Sequence, residues 1–173
     1  MSLDSFKQQN DAIDFGIQVT NEEEMVDLSD YEKFNINELE ADIELEGRPF
    51  LMYFENSPED ERTYESIRLQ LINDKDKELV NIYCNIPLGF PTVKNIRKGN
   101  NFYKNTYNLI TGVFMADDSL DETVFYDSNG NPKNTIKQIN IEAIIKYVNK
   151  KKNMKIKIRE NGDYNTFVVL GLL

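Results

Sequence analysis

The side chains best equipped for chemistry in this chain are cations set among aromatics. Nine basic residues (Lys133, Lys137, Lys146, Lys150, Lys151, Lys152, Lys155, Lys157 and Arg159) stand in a stretch that holds one acid, Glu142. Lys94, Arg97, Lys98 and Lys104 form a second group, and Tyr103, Tyr107, Tyr147 and Tyr164 lie among the two. Ammonium and guanidinium groups neutralise phosphates and release their counterions, while aromatic faces stack on unpaired bases. The candidate nucleic-acid-binding residues are therefore Arg68, Tyr83, Lys150, Lys151, Lys152, Lys155, Lys157, Arg159 and Tyr164. Basic residues on the wet face of a strand also serve as plain solvation and edge protection, so the pattern has a bland account beside the functional one.

Other chemistries find less support. The chain contains no His, which removes the most frequent general base and the commonest zinc ligand, and a single Cys84 leaves no second thiolate. Asp127-Ser128-Asn129-Gly130-Asn131 has the alternating oxygens of a calcium loop, but Pro132 stands where glycine is required and Gln138 where a bidentate Glu is needed. A turn is the better reading. Glu22-Glu23-Glu24 and Glu59-Asp60-Glu61 are neighbours in loops, whereas acid–base catalysis needs carboxyls held apart in environments that separate their pKa values. Neither a phosphate-cradling glycine loop nor a G-x-S-x-G elbow is present. The expectation is a protein that is not an enzyme and that uses no metal or cofactor.

Alternating apolar residues mark the strands that would carry the candidate surface. Leu39, Ala41, Ile43 and Leu45 alternate with acids and predict a strand with one wet face, broken at Gly47-Arg48-Pro49. Phe50, Met52 and Phe54 continue as a second extended piece. Ile67, Leu69 and Leu71, the turn Asn73-Asp74-Lys75-Asp76, then Val80, Ile82, Cys84 and Ile86 form the clearest hairpin, with Asn81, Tyr83 and Asn85 on its other face. Pro87 and Pro91 close that segment. Phe102, Thr106, Leu109, Ile110, Val113 and Phe114 have helical spacing and Asp117-Asp118 ends the run; a second helix is predicted around residues 141–148. Thr123-Val124-Phe125-Tyr126 reads as a short strand. A terminal hairpin follows, with Lys155, Lys157 and Arg159 alternating against Met154, Ile156 and Ile158, then a turn at 160–163 into Phe167-Val168-Val169-Leu170. The fold class expected is mainly β or α+β, an antiparallel sheet or small OB-like barrel with two inserted helices.

Net charge is −10, but it is divided unevenly. Residues 1–66 hold 19 acids and 4 bases; residues 67–173 hold 11 acids and 16 bases. Residues 1–33 are expected to be an acidic arm, with Phe15, Ile17 and Val19 as a short strand, and residues 34–173 a single β-rich domain. No run of about 18 apolar residues occurs, so no membrane partner is expected. With one cysteine and no apolar leader the expected location is cytoplasmic.

The stretch 64–173 resembles a group of phage and prophage proteins from recombination and replication cassettes. The residues that carry the resemblance are the paired strands YESIRLQLIND and ELVNIYCNIP, the helix FYKNTYNLITGVF, and the closing IEAIIKYVNKKKNMKIKIRENGDYNTFVV. The family's Pro-Gly turn into its first strand is missing, and the segment around 127–134 is an insertion. The resemblance implies an OB-like fold and single-stranded DNA binding. Two expectations follow: a non-catalytic single-stranded nucleic-acid-binding protein whose acidic arm binds a protein partner or competes for the basic surface, or a protein-interaction or assembly module that uses its acidic half and ignores nucleic acid.

Overall fold

The computed structural model describes residues 17–19, 25–54, 62–116 and 135–173. Its spine is β4 (Glu44–Phe54), an 11-residue strand that serves two pairings in turn. Glu44–Gly47 pair antiparallel with β9 (Met154–Asn161), and Arg48–Phe54 pair antiparallel with β5 (Tyr64–Asn73). The switch falls at Gly47, where an added Cβ would lie 2.6 Å from the carbonyl oxygen of Ile72, so only glycine lets the two backbones pass. The break expected at Gly47-Arg48-Pro49 is thus a change of partner within one continuous strand.

β5 and β6 (Glu78–Pro87) form the expected hairpin, in unbroken register from Asn73↔Glu78 to Tyr64↔Pro87. Its turn is held by Asn73, whose Oδ1 accepts from the Asp76 N–H at 3.1 Å. β3 (Glu32–Asn35) adds to β6 in parallel, and β10 (Tyr164–Leu172) pairs with β9, giving the order β10-β9-β4-β5-β6-β3. The outer strands β10 and β3 do not pair, so the sheet is not closed into a barrel. Two small antiparallel pairs complete the strands: β1 (Ile17–Val19) with β2 (Met25–Asp27), and β7 (Thr92–Arg97) with β8 (Thr135–Asn140). The fold is mainly β with two helices, as the sequence implies.

Three local expectations are corrected. Residues 39–43 are not strand. A 3-10 turn, Ile36–Glu38, is capped by Asn35, whose Oδ1 accepts from Asn37 N–H while its own N–H donates to Glu38. Asp42 then sits at φ 69°, and regular pairing starts only at Glu44. β7 and β8 were not foreseen, because Asn95 at φ 61° interrupts the alternation: Val93 and Ile96, three positions apart, are both buried. Phe102, expected on the inner face of a helix, precedes α1 (Lys104–Ala116) in a 3-10 turn and is 46% exposed.

Packing uses both faces of the central strands. Leu51 and Tyr53 join the main core with Ile67, Leu69, Ile82 and Cys84, whereas Phe50 and Met52 face a second cluster with Ile72, Leu79 and Leu28. Leu28 is 2% exposed, so the folded body begins ahead of Phe34. α2 (Ile141–Asn149), capped by Asn140, buries Ile141, Ile144, Ile145 and Val148. Each such side chain contributes about 1.5–3 kcal/mol of burial. At its end Asn149 accepts from Leu51 N–H at 2.6 Å and donates to Leu51 O at 2.9 Å, a side-chain substitute for the strand that has left this edge of β4. Residues 1–16 and 20–24 of the expected arm, the expected strand at 123–126 and the turn at 127–132 lie outside the described residues. Among the described residues no helix is long and apolar enough to cross a membrane.

Candidate functional site

β3 covers β6 only as far as Asn81, so the rest of that edge offers backbone carbonyls that a strand would otherwise take. α1 takes them instead, through side chains of its first turn. Asn105 donates from Nδ2 to Tyr83 O at 2.9 Å, and the buried Thr106 hydroxyl donates to Asn85 O. The helix is tied to β10 at the same time: the Thr166 hydroxyl donates to Asn105 Oδ1 at 2.6 Å and accepts from Asn108 Nδ2 at 3.2 Å. One residue earlier, Asn165 fastens β10 to the 3-10 turn after β3. Its side chain donates to Ile36 O at 3.1 Å and Leu39 O at 2.7 Å, and its N–H donates to Asn37 Oδ1 at 2.8 Å. Unpaired buried backbone groups are costly, so these amides do in the seam what a ladder does elsewhere.

The seam opens into a groove of about 640 Å³. Its walls are the turn after β3, the outer end of β6, the start of α1 and the β9–β10 turn. Three rings line it: Tyr83 (46% exposed), Phe102 (46%) and Tyr164 (69%). Three large aromatics this open in one concavity leave an apolar surface exposed within it. Seven asparagines share the lining. Asn85 Nδ2 is spent on Phe102 O at 3.1 Å, which leaves its carbonyl oxygen as an acceptor toward the groove. The side chains of Asn101 and Asn161 have no hydrogen-bond partner among the described residues, so both amide ends are available. Lys104, from the start of α1, is the cation of the groove and Asp163, from the β9–β10 turn, its anion.

Beside the groove, Arg68 crosses the outer face of β5. Its guanidinium lies 4.6 Å from the Phe54 ring and 5.7 Å from the Tyr83 ring, and it donates to the Tyr83 hydroxyl at 3.3 Å. The buried Arg68 Nε has no hydrogen-bond partner. The guanidinium thus keeps the Tyr83 ring in place and extends the planar surface beyond the groove.

The structure divides the residues singled out from sequence. Tyr83 and Tyr164 meet in the groove and Arg68 adjoins it, but the basic run lies elsewhere. Lys155 is six residues from Asn161 along β9, about 20 Å of strand. There the cations face the acidic start of β4: Lys157 is in register with Glu44 and Lys155 with Glu46. Lys155 pairs with Glu44 at 3.5 Å, and Arg159 pairs with Asp42 at 3.1 Å. Lys151 sits over the Tyr147 ring at 4.2 Å, while Lys150 and Lys152 are exposed at the end of α2 and beyond it. Lys155 and Lys157 are therefore turned to the acids of β4, and Arg159, two residues from Asn161, is engaged by Asp42.

Phe102 and the amides Asn37, Asn85, Asn101 and Asn161 were missed as site residues. The available signal was the density of asparagine around two turns, at 100–105 and 161–165. Cys84 is fully buried, and loss of solvation raises its thiol far above the ordinary range, so it is a core residue and no nucleophile. Among the described residues no group of three or more His, Cys, Asp or Glu is placed to hold a metal ion. No protein-family model, curated protein or solved structure matches this chain.

Proposed function

We propose that this chain is a non-catalytic binding protein for single-stranded nucleic acid, of the phage replication or recombination type, and that it acts in the cytoplasm. The observation that carries the reading is the convergence of Tyr83, Phe102 and Tyr164 on one groove beside Arg68. Unpaired bases present faces to such rings, and each stacking contact is worth about 1–3 kcal/mol whatever the base. A duplex hides those faces, so the groove selects single strands. Free amide ends at Asn85, Asn101 and Asn161 give base edges hydrogen-bonding partners without fixing a sequence.

The strand plan supports the same reading. A three-stranded meander (β4, β5, β6), a helix (α1) and a hairpin (β9, β10) that pairs back onto β4 follow the plan of an open five-stranded OB-type Greek key. In that plan the outer face of the second and third strands and the turn of the last hairpin form the ligand surface, which here means Arg68, Tyr83 and Tyr164. A net charge of −10 works against a polyanion at long range. The acids are concentrated ahead of residue 67, and those at the start of β4 face the terminal hairpin rather than the groove.

The expected alternative, a protein interface on the acidic half, has less to rest on, since Asp42 and Glu44 are already engaged by Arg159 and Lys155. A neutral sugar chain is the second reading that a specific observation favours, because rings and amides outnumber charges in the groove. Fluorescence anisotropy with a labelled oligothymidylate, the matching duplex and a competing glucan decides between them. The account expects single-strand binding that weakens with salt and survives the glucan. Absence of single-strand binding at low salt overturns it.

A further inference from the structure

We infer that the phosphodiester backbone of the bound strand runs along a rim formed by Arg97, Lys98 and Lys104, and that the terminal hairpin is not its track. The inference rests on the single-strand reading of the groove and adds which cations that reading uses.

Lys104 opens α1 and lines the groove, and its ammonium donates to the carbonyl of Lys98 at 3.4 Å. That contact brings the connection after β7 up to the groove wall, where Arg97 and Lys98 are exposed. Among the described residues no carboxylate pairs with Arg97, Lys98 or Lys104, in contrast to Lys155 and Arg159. The first turn of α1 carries no acid either, so the positive end of the helix dipole adds to the same wall. Asp163 lines the groove from a different element, the β9–β10 turn. The groove thus attracts phosphate where Lys104 lines it and repels phosphate where Asp163 does. A strand placed with its phosphates on the Lys104 side turns its bases toward Tyr83, Phe102 and Tyr164.

Salt dependence separates the two tracks, because each phosphate contact by a single strand contributes about 0.7 to the slope of log K against log salt. The full-length protein, the pair Lys98→Gln with Lys104→Gln, and the pair Lys155→Gln with Lys157→Gln are titrated with labelled oligothymidylate across a salt series. The rim pair is expected to lower the slope by about 1.4 and the hairpin pair to leave it unchanged. Equal thermal midpoints of the variants establish that each is folded. A slope lowered by the hairpin pair, or unmoved by the rim pair, overturns the inference while the groove reading stands. Failure of the unaltered protein to bind at low salt overturns the groove reading itself.

Discussion

Asn105 and Thr166 are joined by a 2.6 Å hydrogen bond, and through it two strands that never pair are held at a fixed distance. The same asparagine holds the carbonyl of Tyr83 at 2.9 Å, so one amide sets the width of the seam and the height of the groove wall. Asn105→Ala is expected to cost about 1–3 kcal/mol, because the buried Thr166 hydroxyl loses its acceptor and the Tyr83 carbonyl its side-chain donor. Urea denaturation measures it. Asn105→Asp keeps the acceptor for Thr166 but sets a carboxylate oxygen against the Tyr83 carbonyl, and its cost is expected to equal or exceed that of alanine.

Tyr164 is the cleanest probe of the groove. It is 69% exposed and its side chain has no hydrogen bond or ring contact among the described residues, so Tyr164→Ala is expected to leave the thermal midpoint unchanged. Single-strand affinity is expected to fall by about 1–3 kcal/mol, or roughly five- to 150-fold. An isothermal titration with oligothymidylate checks both the loss and its enthalpic origin.

A surface cluster gives the protein a pH signature. Arg48 donates to Asp74 from Nε at 3.1 Å and from its terminal nitrogen at 3.2 Å, and the Tyr31 hydroxyl donates to it at 2.8 Å. The guanidinium holds the Asp74 carboxyl below its ordinary value, while the hydrogen bond to Asp74 raises the Tyr31 hydroxyl. The Asp74 contribution is therefore present above an ordinary carboxyl pKa of 3.8 and is lost as pH falls through the lower folded value. That of Tyr31 is present below 10.0 and lost as pH rises through the higher folded value. The Asp74 side chain is 51% exposed, so each limb is worth under about 1 kcal/mol. Asp74→Asn is expected to flatten both limbs of the urea midpoint plotted against pH.

Two glycines mark close approaches that an alanine methyl cannot enter without moving a backbone. At Gly47 an alanine methyl would lie 2.6 Å from a backbone oxygen of β5, and a backbone cannot rotate away. At Gly112 the methyl would lie 2.4 Å from the Val169 Cβ, which is fixed to the backbone of β10, so helix and strand would have to part. Gly47→Ala and Gly112→Ala are both expected at or above the upper end of the usual 1–3 kcal/mol for overpacking, by thermal denaturation.

Period-two alternation found β5, β6, β9 and β10 because their inner faces are continuous apolar rows: Val80, Ile82, Cys84 and Ile86 are one such row. It failed at Leu39 and Ile43, whose apolar side chains pack on the core from a turn, and at Val93 and Ile96, where a left-handed residue resets the alternation. Arg68 and Tyr83 were legible as outward-facing residues because alternation alone turns them away from the core. The acidic partners of the basic run were not legible, for a different reason. Composition reports how many cations a strand carries, whereas Glu44 and Glu46 stand opposite Lys157 and Lys155 only through a pairing more than a hundred residues long in sequence. The amides of the seam gave no periodic signal, since each answers a backbone group on another element.

The account stands on where unpaired bases touch the protein, and photocrosslinking reads that position directly. A single strand carrying 5-bromouracil is irradiated with the full-length protein at low salt, and the crosslinked peptides are identified by mass spectrometry. Crosslinks at Tyr83, Phe102 or Tyr164 are the predicted result. Crosslinks confined to residues 150–159, with none in the groove, would contradict it.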